Sequence, residues 1–274
     1  MSTADIRAVP VESVGDATLL EPLARAIFGE GQRPQGWFAQ KLRRECVLPP
    51  RSILLTQSVD ATDPAAWVGY GLLGRPPSLG SLARTAGIGL IPAWRRRGLG
   101  AALVEGLKDA ARGDGANGLL IPSSPEAVPF YTRCGLSKHN TRHTLRATGL
   151  GNGMVRGVAE PWDSPCPGPM RSGWFAEAWE RTPQDRRCTL RLRGDSDRFD
   201  VSMEGSAQLA VRWTSKDGGA EGASAWLRTM SAGTPALIHD LPVSAPELPA
   251  LLKRGWRVAQ TTIEMLAMGF STRG

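Results

Sequence analysis

The chain's 274 residues suffice for a full core, as one large domain or two smaller ones. No apolar run approaches a membrane span, and the opening MSTADIRAVP lacks the apolar centre of a secretion signal, so a soluble cytoplasmic protein is expected. The net charge is +7, of which +6 falls in residues 1–150, yet no basic run there is interleaved with aromatics, which argues against nucleic-acid binding.

In chain order, Ile6 to Pro10 reads as a short strand. Val14 to Phe28 reads as a helix, with apolar residues at 19, 20, 23, 24, 27 and 28. A polar break leads to a second helix over Trp37 to Cys46. Ser52 to Gln57 and Ala66 to Leu73 are expected strands, and Gly74 to Gly80 a loop. Ala86 to Ile91 reads as a buried strand that Pro92, with no N–H to donate, brings to an end. After Arg95-Arg96-Arg97-Gly98-Leu99-Gly100, apolar residues at 99, 103 and 107 and small ones at 102, 106 and 110 predict a helix. Gly118 to Ile121 and His143 to Arg146 are further strands.

Residues 149–170 are rich in Gly and Pro and read as a connector between a domain over 1–148 and another over 171–274. In the second, helices are expected at Trp174 to Arg181, Ala223 to Met230 and Ala245 to Lys253. Strands are expected at Cys188 to Arg193, Phe199 to Met203, Gln208 to Trp213, Pro235 to Leu241 and Trp256 to Leu266. The four cysteines show no CxxC pairing and no metal-type spacing to His, so free thiols are expected and no metal site. His139 and His143 read as surface or strand-edge residues.

The stretch with chemistry in it is the strand, basic glycine turn and helix over 85–112. First-turn amides of a helix have no partner within it, and the helix dipole makes that end partly positive, so a phosphate is bound well there. Gly98 and Gly100 let its oxygens approach the backbone, and Arg95, Arg96 and Arg97 add charge. A Walker A loop is absent, and Leu103 stands where a Rossmann fingerprint needs its third glycine. Alone, the hexapeptide fits a solvated basic helix start without a ligand better, since short motifs match by accident.

Ser124-Pro125-Glu126-Ala127-Val128-Pro129-Phe130-Tyr131-Thr132-Arg133-Cys134-Gly135-Leu136 adds a second motif. Together the pair resembles the GCN5-related N-acetyltransferase (GNAT) superfamily. Its Arg/Gln-x-x-Gly-x-Gly/Ala signature is matched by Arg95 to Gly100, and its Asn-x-x-Ala-x-x-x-Tyr-x-x-x-Gly-Phe pattern by Ala127, Tyr131 and Gly135. Ser124 replaces the usual Asn and Leu136 the usual Phe. The resemblance covers about residues 4–147 and implies an α/β (α+β) fold: a mixed, mostly antiparallel central sheet flanked by helices, with a second, smaller α/β lobe behind it. Leu251 to Trp256 echoes the family's helix-end, Gly, aromatic passage, with Leu251 where Tyr131 stands, so a degenerate lobe without a second cofactor is expected.

The resemblance further implies an N-acetyltransferase that moves an acetyl group from acetyl-CoA directly to a primary amine, with a small-molecule acceptor. It implies cofactor contacts from Leu90, Ile91, Arg95, Arg96, Arg97, Gly98, Leu99, Gly100, Ala101, Ser124, Ala127 and Tyr131. An amide at Ile88 would polarise the acetyl oxygen on a bulged strand that Gly87 and Gly89 ease, and the Tyr131 phenol would be the general acid. No base is identifiable: the central strand has no carboxylate, and Glu30, Glu45 and Glu126 read as solvated charges. A non-catalytic acyl-CoA sensor and a protein lysine or N-terminal acetyltransferase stay open as alternatives. Oligomeric state is not readable from the sequence; dimers are common among proteins of this resemblance, which leaves a homodimer open.

Overall fold

A computed structural model of the chain describes residues 6–29, 36–151, 157–160, 187–192, 198–204, 207–214 and 220–270. The strands are β1 (Arg7–Pro10), β2 (Ile53–Thr56), β3 (Trp67–Gly74), β4 (Leu82–Leu90), β5 (Gly118–Ser123) and β6 (Ser137–Thr148), followed by β7 (Gly157–Glu160), β8 (Arg187–Leu192), β9 (Arg198–Glu204), β10 (Ala207–Thr214), β11 (Pro235–Pro242) and β12 (Arg257–Met268). The helices are α1 (Glu21–Phe28), α2 (Trp37–Arg44), α3 (Leu99–Gly113), α4 (Val128–Arg133), α5 (Ala220–Thr229) and α6 (Leu248–Lys253). The chain divides into two compact units, Met1–His139 with Glu264–Gly274, and Asn140–Ile263.

In the first unit the strand order is β1-β2-β3-β4-β5, with the end of β12 beside β5. All pairs from β1 to β4 are antiparallel, and β4 with β5 is parallel. On one face, α1 and α2 bury Leu23, Ile27 and Phe38 against Tyr70, Leu72 and Ala86. On the other, Leu103 of α3 packs with Leu55, Val68, Leu90 and Trp94. Each such large apolar side chain contributes roughly 2 kcal/mol on leaving water.

Several expected elements differ in extent: the strand expected at His143 to Arg146 runs from Ser137 to Thr148, and the helix expected from Ala245 starts at Leu248. The helix expected over Val14 to Phe28 is two 3₁₀ turns, Val11–Val14 and Ala17–Leu20, before α1. Gly15 takes φ +78°, Asp16 accepts the Thr18 amide at 2.8 Å, and Pro22 lies in the first turn of α1. Those three local signals override the apolar spacing. The central strand starts at Leu82, four residues before Ala86, because its early residues include a buried arginine that apolar patterning misses. Within the stretch read as a connector, Gly157–Glu160 forms β7 and pairs with β8. The helix expected at Trp174 to Arg181 lies outside the described residues.

The second unit orders its strands β12-β6-β11-β10-β9-β8-β7, with β10 and β11 parallel from Gln208↔Ala236 to Ala210↔Ile238. Its core includes Leu145, Ile238, Leu251, Trp226 and Trp256, the two indoles stacked 5.9 Å apart. Three local features of the first unit also occur among the described residues here. A bulge between Ala210 and Arg212 follows the short parallel pairing, and α6 carries Pro249 in its first turn. That helix ends at Gly255, φ +91°, where the Trp256 amide donates to the Leu251 carbonyl.

Candidate active site

The parallel pairing of β4 with β5 has three rungs, Leu82↔Gly118, Ala83↔Leu119 and Arg84↔Leu120. Beyond Arg84 the two strands run without shared rungs. The register between β3 and β4 shifts there: Leu72 faces Gly87 but Leu73 faces Thr85, which leaves Ala86 as an extra residue. Such a bulge bends its strand and raises its twist, which carries β4 away from β5. The Ile91 amide donates to the Val68 carbonyl at 3.0 Å, so the β3-facing polar groups belong to 89 and 91. Backbone groups alternate sides along a strand, so Ile88 and Leu90 turn theirs toward the splay. The Ile88 amide therefore points where β5 no longer supplies an acceptor.

From β4 the chain passes through a 3₁₀ turn, Pro92–Trp94, into α3. Gly98 caps α3 at φ +82°, with nothing within 4 Å of where a Cβ would stand, so conformation rather than space requires glycine. Arg96 also takes a left-handed φ, +61°. The Ala101 and Ala102 amides both donate to the Gly98 carbonyl, and the amides of Leu99 and Gly100 lie ahead of the first helical bond.

The three arginines are not equivalent. Arg95 donates from Nε to the Leu90 carbonyl and from a terminal nitrogen to the Ile27 carbonyl, each at 3.1 Å. It ties α1 to the turn, and it occupies the Leu90 carbonyl that faces the splay. Arg97 lies over the Trp94 ring at 4.7 Å. Arg96 is exposed. Gly100 is small for a neighbour's sake: a Cβ there would stand 3.3 Å from the Phe130 ring and 4.0 Å from Leu90.

Phe130 brings α4 to the turn. Beside it Tyr131 is 8% exposed, its ring edge-on to Phe130 at 5.0 Å. Burial, with a smaller push from Cys134, raises the Tyr131 phenol to about 12. α4 ends at Gly135, φ +79°, where the Leu136 amide donates to the Tyr131 carbonyl at 3.0 Å, so that glycine serves a left-handed cap. Lys108 of α3 donates to the Cys134 carbonyl and pairs with Glu105 at 2.8 Å, a second tie from α3 to α4.

Ser124 and Ala127 flank the 3₁₀ turn that enters α4, Ser124 exposed and Ala127 half-buried. Ser124 lowers the exposed Glu126 carboxyl by hydrogen bonding. Glu30 lies outside the described residues. Glu45, expected as a solvated charge, is buried in ion pairs with Lys41 and Arg84. The sequence reading missed Tyr70 as well: its ring lies 3.4 Å from where a Cβ on Gly87 would stand, on the α1/α2 face of the bulge. Among the described residues no group of His, Cys, Asp or Glu is placed to hold a metal ion, and no helix is long and apolar enough to cross a membrane.

Residues 23–136 match the family described as Acetyltransferase (GNAT) family. The chain carries a GNAT acetyltransferase domain. That makes the protein an acyltransferase, and the turn, the splayed strands and Tyr131 all fall within the matched stretch. Among solved structures, a GCN5-related N-acetyltransferase from Anabaena variabilis is 10% identical, with a TM-score of 0.60 over 96% of this chain and 72% of that one. Another from Sphaerobacter thermophilus is 13% identical at a TM-score of 0.58, over 98% and 97%. A tandem GNAT protein from the clavulanic acid biosynthesis pathway is 14% identical at 0.56, over 96% and 98%. At such identities the likeness is one of fold: a GNAT sheet of mostly antiparallel strands flanked by helices. Among curated proteins, none matches the chain in sequence.

Proposed function

We propose that the GNAT domain binds acetyl-CoA and transfers its acetyl group directly to the primary amine of a small-molecule acceptor. The supporting observation is the splay itself: β4 stops pairing with β5 at Arg84, and the left-handed turn at Arg96 and Gly98 opens the helix N-terminus at the far end of the same strand. The amides of Leu99 and Gly100, with Ala101 beside them in the first turn, and the charges of Arg96 and Arg97 would hold the diphosphate. The β5-facing edge of β4, with the Ile88 backbone groups and the Leu90 amide, would pair with the amide-bearing arm, while Ser124, Ala127 and Tyr131 would line the α4 side. Arg95 contributes by fixing the turn to Ile27 and Leu90.

Acetyl-CoA supplies an activated acyl thioester. The Ile88 amide would donate to its carbonyl oxygen as negative charge develops, an effect that elsewhere is worth about 3–4 kcal/mol. Tyr131 stays protonated at neutral pH, as a donor to the departing sulfur must. Full proton transfer from so weakly acidic a phenol to a thiolate of ordinary acidity runs uphill. The phenol therefore acts first as a hydrogen-bond donor to sulfur, with the proton following as charge builds. The second unit, with Leu251 at the position matching Tyr131, would be a GNAT-like lobe without this chemistry.

Calorimetric titration with acetyl-CoA tests the reading, together with CoA release over a panel of amines. Uptake by the wild type, abolished in Gly98→Asp, is expected. Absence of uptake by the wild type, or unchanged affinity in Gly98→Asp, overturns it.

A further inference from the structure

Ionised side chains are costly inside a protein, yet several meet in the interior of the first unit. Arg84 of β4, Glu45 at the end of α2 and Glu264 of β12 are 7%, 5% and 4% exposed. Arg84 lies 3.4 Å from the Glu264 carboxylate and 3.7 Å from that of Glu45, which in turn lies 3.5 Å from the Lys41 amine. Desolvation pulls that amine below the usual lysine range, against Glu45. Apolar residues of similar size would serve stability as well or better, so the cluster calls for another reason.

Its place in the sheet supplies one. Arg84 is the last residue of β4 to share a rung with β5, two positions before the bulged Ala86. Its partner on β3 is Gly74, where a Cβ would stand 2.1 Å from the Glu45 carbonyl oxygen, so the end of α2 is pressed against that rung. On the other side the start of β5 lies as close to β12. A Cβ on Gly118 would be 2.6 Å from the Ala267 carbonyl oxygen and 2.8 Å from the Met268 sulfur. The guanidinium thus takes one carboxylate from the end of α2 and one from β12 at the last rung the strands share.

We infer that the Glu45–Arg84–Glu264 cluster fixes the rung at which β4 leaves β5, making Glu264 a positioning residue for the acetyl-CoA groove. Glu264 comes from 180 residues further along the chain than Arg84. The inference rests on the cofactor reading proposed above. A structural role alone would lower the melting temperature and leave the folded protein's affinity unmoved.

The test measures Tm, acetyl-CoA Kd and kcat for the wild type, Glu264→Gln, Glu264→Asp and an apolar triple variant, Glu45→Leu/Arg84→Met/Glu264→Leu. Glu264→Gln is expected to weaken acetyl-CoA binding about tenfold, with Glu264→Asp restoring part of it. The triple variant, which keeps the volume filled, is expected to fold and bind as weakly. Wild-type Kd and kcat in both the Gln and triple variants overturn the inference alone. No uptake by the wild type overturns the cofactor reading and this inference with it.

Discussion

Arg95, Arg96 and Arg97 are one basic run in the sequence and three different devices in space. Arg95 is committed to two backbone carbonyls, Arg97 rests on Trp94, and Arg96 accepts a left-handed backbone. That backbone costs a non-glycine residue about 1–2 kcal/mol. Arg96→Gly is therefore expected to match or exceed wild-type stability in chemical denaturation while weakening acetyl-CoA, and Arg96→Ala to weaken it without the stability gain. Lower stability in Arg96→Gly would place the strain elsewhere. For Tyr131, replacement by Phe is expected to lower kcat tenfold or more with the Kd for acetyl-CoA nearly unchanged; steady-state kinetics beside calorimetry read both. The same phenol governs alkaline stability. Its pKa is raised from 10.0 to about 12 by burial, so between those values the unfolded chain loses the proton and the folded one keeps it. Stability from this group is full below pH 10 and falls as pH rises toward 12, by up to about 3 kcal/mol. Denaturation curves of Tyr131→Phe should lack that fall.

At the scale of elements, α3 and α4 are joined by a ring on a glycine and an amine on a carbonyl. Gly100→Ala brings a Cβ to 3.3 Å from Phe130, so reduced stability and weaker cofactor binding are expected. Phe130→Leu in the same chain should recover part of both, and a double-mutant cycle measures the coupling. Additive effects would mean that the ring does not set the turn. The sequence made α3 and its basic glycine turn legible because their signals are local, apolar spacing from Leu99 and a breaker at Pro92, whereas the Tyr131 stretch was legible only as a motif and not as the helix α4. The early part of β4 was not legible, since Arg84 reads as a solvent residue until Glu45 and Glu264 are beside it. Glu45 reads as a surface charge for the same reason. The broken helix before α1 was signalled by Gly15, Asp16 and Pro22, but the apolar spacing across 14–28 masked them.

At the scale of the molecule, the first unit is assembled from two separated stretches of chain, Met1–His139 and Glu264–Gly274. The second stretch is well anchored. The Phe270 amide donates to the Asn117 carbonyl, Arg112 lies over the Phe270 ring at 5.1 Å, and the Ser137 hydroxyl donates to the Leu266 carbonyl at 3.4 Å. A chain ended after Ile263 is expected to lose the cooperative melting of the first unit and its acetyl-CoA uptake, as calorimetry would show; retained uptake would make these contacts dispensable.

This discontinuity also sets a timetable for biosynthesis. A ribosome making this protein releases the turn and the Tyr131 helix long before Glu264, so the nascent enzyme waits through the synthesis of more than a hundred residues with one sheet edge uncovered. Until that late strand emerges, the exposed edge is a surface on which a chaperone can act and at which mispairing with neighbouring chains can begin.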